Sequence, residues 1–569
     1  MCSSDLVIFG TYVVTTGSTS NVYTIDAGST ASSTATGGGT VYALYQINPG
    51  PAYVNPIVGW GAGMWSSGTW GTSASSLDPI RLWSQSNFGE DLIFGPRGGA
   101  IYYWDASIGY SALTFSASLA SPTVITTSAP FVDGTPLRFA PDAGATLPSG
   151  IEPGKTYFVR NSAGITFNIS ATYSGALINV LGAGTGTSRI LPNAYKLSDY
   201  GGGTDVPIVQ NFLLVSDISR FVFAFGANEY AGSTQDPMMI RWSDQDDATN
   251  WTPSSTNQAG FLRLSRGSEL VTALQTQQAV MVFTDTALYS MQYVGAPIVW
   301  SAQIIASDIS IVSQNAAVFV NNIVYWMGKD KFYYFDGTVH TLNCDLLKHT
   351  FSDFNTDQFG QVFAGTLERY NEVWWFYCSA GSTTIDRYVV FNYAETLWYY
   401  GTMARTAWID TSLFNAPMAA TYSNNLVLHE TGTDDDETGT PLPINAFIQS
   451  SEIDLADGHQ FMFVWRILPD ITFDNSTATN PSVTMSLLPL TNSGSGYNVT
   501  SVTSGNHSVA GVSYGPVIRS VALPIEQFTG YLYTRVRGRQ MAIRVESTEL
   551  GVAWQLGSPR FDTRPDGRR

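Results

Sequence analysis

Three carboxylates, Asp244, Asp246 and Asp247, crowd between Trp242 and Trp251 in the stretch RWSDQDDATNWTP. Carboxylates so placed could hold a calcium ion, share acid/base work, or fasten a turn. A helix–loop–helix calcium loop needs a glycine at its sharp turn and a distal bidentate glutamate. The stretch has neither at the required spacing. Glycoside hydrolysis needs two carboxylates whose partners can lie far apart in sequence, so spacing alone leaves that chemistry open. An upstream copy favours the third reading. Asp78 to Ser84 reads DPIRLWS and Asp236 to Ser243 reads DPMMIRWS, yet the first copy continues QSNFGEDLIF without the acid cluster. What both copies keep is an arginine, an aromatic anchor and a turn. Arg81, Trp83, Arg241, Trp242 and Trp251 are therefore expected at repeated structural corners, with the acids solvated or capping turn amides.

A sialidase-type Asp-box is the sharper alternative, but it wants glycine where Ala248 stands and serine where Asp244 stands. Such a box is itself structural. The five histidines, His340, His349, His429, His459 and His507, include no pair at zinc-ligand spacing. No nucleophile elbow, Walker loop or dinucleotide fingerprint occurs. The glycine triplets at 37–39 and 201–203 lie in polar surroundings and read as loops. Cys2, Cys344 and Cys378 are too few and too scattered for a disulfide framework. The expectation is a chain with no catalytic residue, no metal and no cofactor.

The elements that would position these residues are strands. Of 569 residues, 44% are hydrophobic and 13% aromatic but only 13% charged, with Gly, Ser, Thr and Asn filling the balance. β-Branched and aromatic side chains suit half-buried pleated surfaces joined by tight turns. The chain reads as all-β. Four short strands, ELVTAL, AVMVFT, ALYSMQYV and WSAQIIAS, are followed by AAVFV, NIVYWMG, KFYYFD and TVHTL. After a helical break from Cys344 to Gln358 come QVFAGTL, EVWWFYC, DRYVVFN and ETLWYYG, and PMAATY and NLVLHE begin a further set. A quartet every ~45 to 55 residues is the period of a β-propeller blade. The rival is a long sandwich or barrel with accidental spacing. AIYYWD at Ala100 to Asp105 resembles KFYYFDG and places an earlier blade ahead of residue 118.

The expected domains are a first propeller portion over 1–117, an inserted small β domain over 118–191, main blades over 192–442 and a C-terminal β domain over 443–569. The insert is marked by its Gly, Pro and Thr density. It either grips a partner or is passive decoration. The acid run Asp434 to Glu437 reads as a solvated linker. MCSSDL joins abruptly to strand-like sequence and reads as a truncated or artefactual start. No apolar run approaches the ~18 residues that span a membrane, so no membrane segment is expected.

Charge is uneven along the chain. The formal net charge is −18, yet from Tyr531 onward there are eight Arg against four acids, leaving 19 basic and 41 acidic residues before it. An acidic body opposes adhesion to nucleic acid, which needs phosphate neutralisation, while letting a polyanion slide past. In YTRVRGRQMAIRVES, Arg535, Arg537 and Arg539 alternate, so a strand would project them from one face. With Arg544 they are candidate subunit or adaptor contacts, since guanidinium groups match carboxylates bidentately. The plainer reading is a solvated face with local ion pairs.

Three stretches carry a resemblance: IRWSDQDDATNWTP with the following GFLRLSRGSELVTALQTQQAVMVFTDTALYSMQYVG, then NNIVYWMGKDKFYYFDGTVHTL, then the ending RVRGRQMAIRVESTELGVAWQLGSPRFDTRPDGRR. The chain resembles the tail nozzle and DNA-stabilisation proteins of short-tailed bacteriophages, also called tail tubular protein B or the tail hub. The resemblance covers roughly Pro207 to the C-terminus and, more loosely, Asp78 to Tyr110. It implies a homo-oligomeric ring of six copies built on a β-propeller, placed below portal and adaptor tail proteins. Such a ring belongs to the virion. It closes the tail channel, retains packaged double-stranded DNA and opens at ejection. The insert does not align to this family and would face outward, towards tail fibres or a host surface. The competing functions are a propeller glycan hydrolase or depolymerase, and a carbohydrate-binding adhesion module.

Overall fold

Runs such as FVFAF (Phe221–Phe225) and VMVFT (Val280–Thr284) are buried at every position. A strand with both faces covered reads as a continuous apolar run. The reason is visible in the computed structural model. It describes residues 14–19, 22–25, 50–54, 80–106, 112–142, 144–191, 194–200, 203–411, 414–490, 505–509, 512–515 and 521–567. The start of the chain, the glycine triplet at 37–39, Asp78 and the side chain of His507 lie outside the described residues. The chain forms two compact units, Met1–Asp410 and Thr411–Arg569.

The first unit is a β-propeller. Four antiparallel four-stranded sheets follow one another along the chain, with a short helix, Leu347–Ser352, and a 3-10 turn, Thr356–Gln361, ahead of the last. The first of these runs from Phe212–Ser216 to Gly260–Arg263, and the second from Leu270–Gln275 to Val299–Ser307. The third runs from Ala317–Val320 to Val339–Leu342, and the last from Phe363–Leu367 to Leu397–Thr402. Three of them are the quartets legible in the sequence. Ahead of them a further sheet takes Trp83–Phe88, Asp91–Pro96 and Tyr102–Trp104, and is completed by Tyr195–Lys196. We call these five sheets the first to fifth blades.

Alternation along each strand sends successive side chains to opposite neighbours. In the third blade Val280, Val282, Ala287, Tyr289 and Met291 pack towards the second blade, into one cluster with Phe223, Phe225 and Trp300. Met281, Phe283 and Leu288 point the other way, into a cluster with Trp326 and Trp375 of the fourth and fifth blades. Aromatic rings are prominent in both clusters. Trp326 stacks on Tyr333 at 5.3 Å between centroids, and Phe332 lies 5.0 Å from Trp375. The sequence AIYYWD falls on the third strand of the first blade, the rank that KFYYFD holds in the fourth.

Between the third and fourth strands of the first blade the chain leaves to form a closed six-stranded barrel, from Leu113–Ala117 to Ser188–Ile190. Its interior is filled by Phe139, Tyr157, Val159, Phe167 and Ile169. The first and last barrel strands pair, with Leu113 opposite Ile190.

In the second unit, Met418–Ala420 and Leu426–Leu428 form a hairpin. The acid run is not a loose linker. Asp434–Asp435 pairs with Leu442–Pro443, and Asp434 Oδ1 accepts the Gly551 amide at 2.7 Å. These bonds tie the segment into the unit, which begins at Thr411, ahead of the 442/443 boundary that composition suggests. The rest is a β-sandwich. A three-stranded sheet, Leu532–Gly538, Met462–Leu468 and Arg560–Pro565, packs on a larger sheet containing Ser482–Leu490 and Gln540–Ser547. Met462, Val464 and Val536 from one side meet Met485, Leu487 and Val545 from the other.

Candidate functional site

The acidic stretch is a fastened turn. Asp244 Oδ1 accepts the amides of Gln245 at 2.9 Å and Gln258 at 2.8 Å. Asp247 Oδ1 accepts the Thr249 amide at 2.9 Å and its hydroxyl at 2.7 Å, an Asx-type closure. Asp246, at a φ of 59°, pairs with Arg220 at 2.5 Å. The two tryptophans clamp the ends. Trp242 Nε1 donates to the Gln258 carbonyl at 2.9 Å, and the buried Trp251 donates to the Ala248 carbonyl at 2.8 Å. Trp242 lies so close over Gly260 that a β-carbon there would stand 2.5 Å from its ring. Among the described residues no group of three or more His, Cys, Asp or Glu is arranged to hold a metal ion.

Arg241 is the least expected member. Its side chain is 1% exposed, and Nη2 donates at 2.6 Å to both the carbonyl and the carboxylate of Asp205. Burial pulls this guanidinium below its ordinary pKa, against the opposing pull of Asp205. The pair ties the loop entering the second blade to that blade's third strand.

The two Asp-Pro…Trp-Ser copies do not occupy equivalent places. Trp83 opens the innermost strand of the first blade, whereas Arg241 and Trp242 close the third strand of the second. Trp83 lies 6.3 Å from Phe94 and its carbonyl accepts from Gln314. Arg81 packs its Cβ against the Gly50 backbone. The serines do repeat a role: Ser84 Oγ accepts the Leu213 amide at 2.9 Å and Ser243 Oγ the Val222 amide at 3.1 Å.

The four C-terminal arginines do not form one stripe, although Arg537 and Arg539 share the Phe461 ring. Arg535 and Arg537 project from the outer face of the three-stranded sheet, since Val536 between them points into the core. Arg537 pairs with Asp566 at 2.8 Å and covers Phe461 at 4.0 Å. Arg539 is not in the strand. Gly538 ends it, and Arg539 sits in the following turn, donating to the Gly458 carbonyl at 2.8 Å. Arg544 belongs to the other sheet and faces outward from the opposite side of the sandwich, over Phe447 at 4.0 Å and paired with Glu546 at 2.8 Å.

Sequence reasoning missed the companions of Arg535. On the same outer face stand Phe463, Trp465 and Tyr533, with Arg564 from the third strand. Phe463, Trp465, Tyr533, Thr534, Arg535 and Arg564 line a hollow of about 650 Å³. Arg466, paired with Asp562, is laid over Trp465 at 4.8 Å and Tyr531 at 4.9 Å. The signal was present as alternation in FVWRIL and RFDTRP, but only strand order could bring those segments beside YTRVR.

These features define a β-propeller chain with a barrel set into its first blade, together with a β-sandwich whose outer face carries arginine and aromatic side chains. No family model matches the chain, and no curated protein matches it. Similar solved structures include Hsv2 from Kluyvelomyces marxianus, 8% identical over 53% of this chain and 74% of that one, with a TM-score of 0.25. Another is PorZ, a bacterial surface component of the type-IX secretion system of Porphyromonas gingivalis. It is 12% identical over 64% of this chain and half of its own length, with a TM-score of 0.25.

Proposed function

We propose that this chain is a structural component of a short-tailed phage tail, a ring-forming nozzle that closes the DNA channel, retains packaged DNA and opens for ejection. The resemblance of three stretches carries this reading, and each falls on consecutive strands or turns of one structural unit. The first stretch spans the clamped turn of the second blade and three strands of the third. The second stretch is three strands of the fourth blade, and the last holds the later part of Leu532–Gly538 and all of Arg560–Pro565, two of the three strands that bear the arginine face. The acidic residues of the opening motif are consumed by turn amides and by Arg220, which suits a scaffold.

Charge supports the same reading. A wall bearing net negative charge repels the phosphate backbone and lets DNA pass without sticking. The test is the mass of the purified full chain by light scattering, with and without its adaptor ring, followed by negative-stain imaging. Rings with a central hole are expected. A chain that neither closes into rings nor joins the adaptor overturns the proposal and moves attention to glycan-directed functions.

A further inference from the structure

We infer that the outer face of the three-stranded sheet, centred on Arg535, Arg564 and Trp465, is a docking surface for the acidic surface of a second copy of this chain. The inference rests on the ring-forming reading and names the contact within it. Its first support is an imbalance of charge. Among the described residues Arg535, Arg560 and Arg564 have no carboxylate partner, although Arg466 and Arg537 beside them are each paired. Register places Arg564 opposite Phe463 and Arg560 opposite Leu468, so the unpaired guanidinium groups border the aromatic strip.

The complementary charge is supplied by the chain itself. Residues before Tyr531 carry 41 acidic against 19 basic side chains, whereas every basic residue from Tyr531 onward is arginine. Arginine differs from lysine in offering a planar fork that meets a carboxylate with two hydrogen bonds and lies flat on an aromatic ring. Arg564 already lies 4.9 Å over Phe463.

The apolar part of the face has the composition of an interface centre. Trp465 is 40% exposed, Tyr531 58% and Tyr533 70%. Trp, Tyr and Arg dominate the residues that carry binding energy between proteins. A basic face on one side and an acidic surface elsewhere make a heterologous contact, which closes into a ring when the rotation allows. Nucleic acid is the less favoured occupant, because the chain as a whole is at −18.

The test is light scattering of the full chain at low and high ionic strength, for the natural protein and for Arg535→Glu with Arg564→Glu, with Trp465→Ala as a third variant. Association of the natural chain should weaken with salt. The double charge reversal should weaken it about tenfold or more at low salt, and Trp465→Ala should weaken it without changing the salt dependence. Melting temperatures should match the natural chain; if the reversal impairs folding, Arg535→Gln with Arg564→Gln serves instead. Unchanged association in both double variants overturns the inference, as does a natural chain that stays monomeric at every ionic strength. Loss of binding to single-stranded DNA or an anionic polysaccharide, with self-association intact, also overturns it. Rings that persist in the variants leave the nozzle reading standing and this one fallen. Arginine-dependent two-fold dimers in place of rings do the reverse.

Discussion

Arg241 and Asp205 are joined twice through one nitrogen, Nη2 reaching the carbonyl and the carboxylate of Asp205 at 2.6 Å each. The partners differ in their access to water: the arginine side chain is 1% exposed and the aspartate 25%. Removing one partner therefore has unequal consequences. Asp205→Asn leaves a buried guanidinium without its counter-charge and is expected to cost about 2 kcal/mol or more. Arg241→Met removes the buried charge, keeps the volume and leaves a carboxylate that can rehydrate, so it should cost less. Denaturant unfolding followed by tryptophan fluorescence gives the order. The reverse order would show that the pair is not the fastening described.

The motif carboxylates are expected to act on stability alone. Asp247→Ala removes the acceptor of both the Thr249 amide and its hydroxyl and should cost about 1 kcal/mol. Calcium and EDTA should give the same melting curve. A calcium-dependent rise in melting temperature would restore the metal-loop reading.

Alkaline pH should loosen the propeller. Burial pushes the Cys344 and Cys378 thiols up to about 12 from an ordinary 9.0. Burial likewise raises the Tyr325 and Tyr377 hydroxyls to about 12 from 10.0. The folded state holds these protons more tightly than the unfolded one, so their contribution is fully present below the unfolded values and is lost as pH climbs from about 9 towards 12. Unfolding free energy measured from pH 8 upward should fall through that window. Phenolate absorbance from these tyrosines should rise only with unfolding, and a flat profile would contradict the burial described.

Much of this was legible before any coordinates. The quartets stand out because their middle strands, such as NIVYWMG or EVWWFYC, are apolar on both faces and bounded by turn residues; Asn321, Asn322 and Asn371 all adopt positive φ. Other features were hidden for physical reasons. A motif carries no information on strand rank, so Trp83 on an innermost strand and Trp242 on a third strand look alike in sequence. Alternation placed Arg535, Arg537 and Arg539 on one face, but a strand must end before its successor can join another sheet. Gly538 and Arg539 make that exit, which carries Arg544 to the far side of the sandwich. The buried state of Arg241 was also invisible, because its partner Asp205 lies well upstream of the motif.

The fifth blade offers a packing test. Trp408 lies over Gly365, where a β-carbon would stand 2.5 Å from the indole, and its Nε1 donates to the Thr366 carbonyl at 2.9 Å. Gly365→Ala must push the indole away, breaking that bond and its stacking on Trp374. A loss of about 1–3 kcal/mol is expected. A neutral effect in thermal unfolding would show that the indole has room to move.

Because Leu113 and Ile190 are paired neighbours, the chain leaves the first blade and returns to it through one narrow doorway, beside which Arg138 of the barrel lies over Tyr195 of the blade at 5.3 Å. Tyr103 faces Tyr195 and Tyr102 faces Lys196 across the blade itself, so the sheet on the near side of the doorway is complete in its own register. To that blade the barrel is a long hairpin loop, however elaborate its contents. Such a port can accept a different cargo, or a bare turn, while the strand register of the first blade stays as it is. Variation between otherwise similar chains would then concentrate at this one address, where a new domain can be hung at little cost to the scaffold.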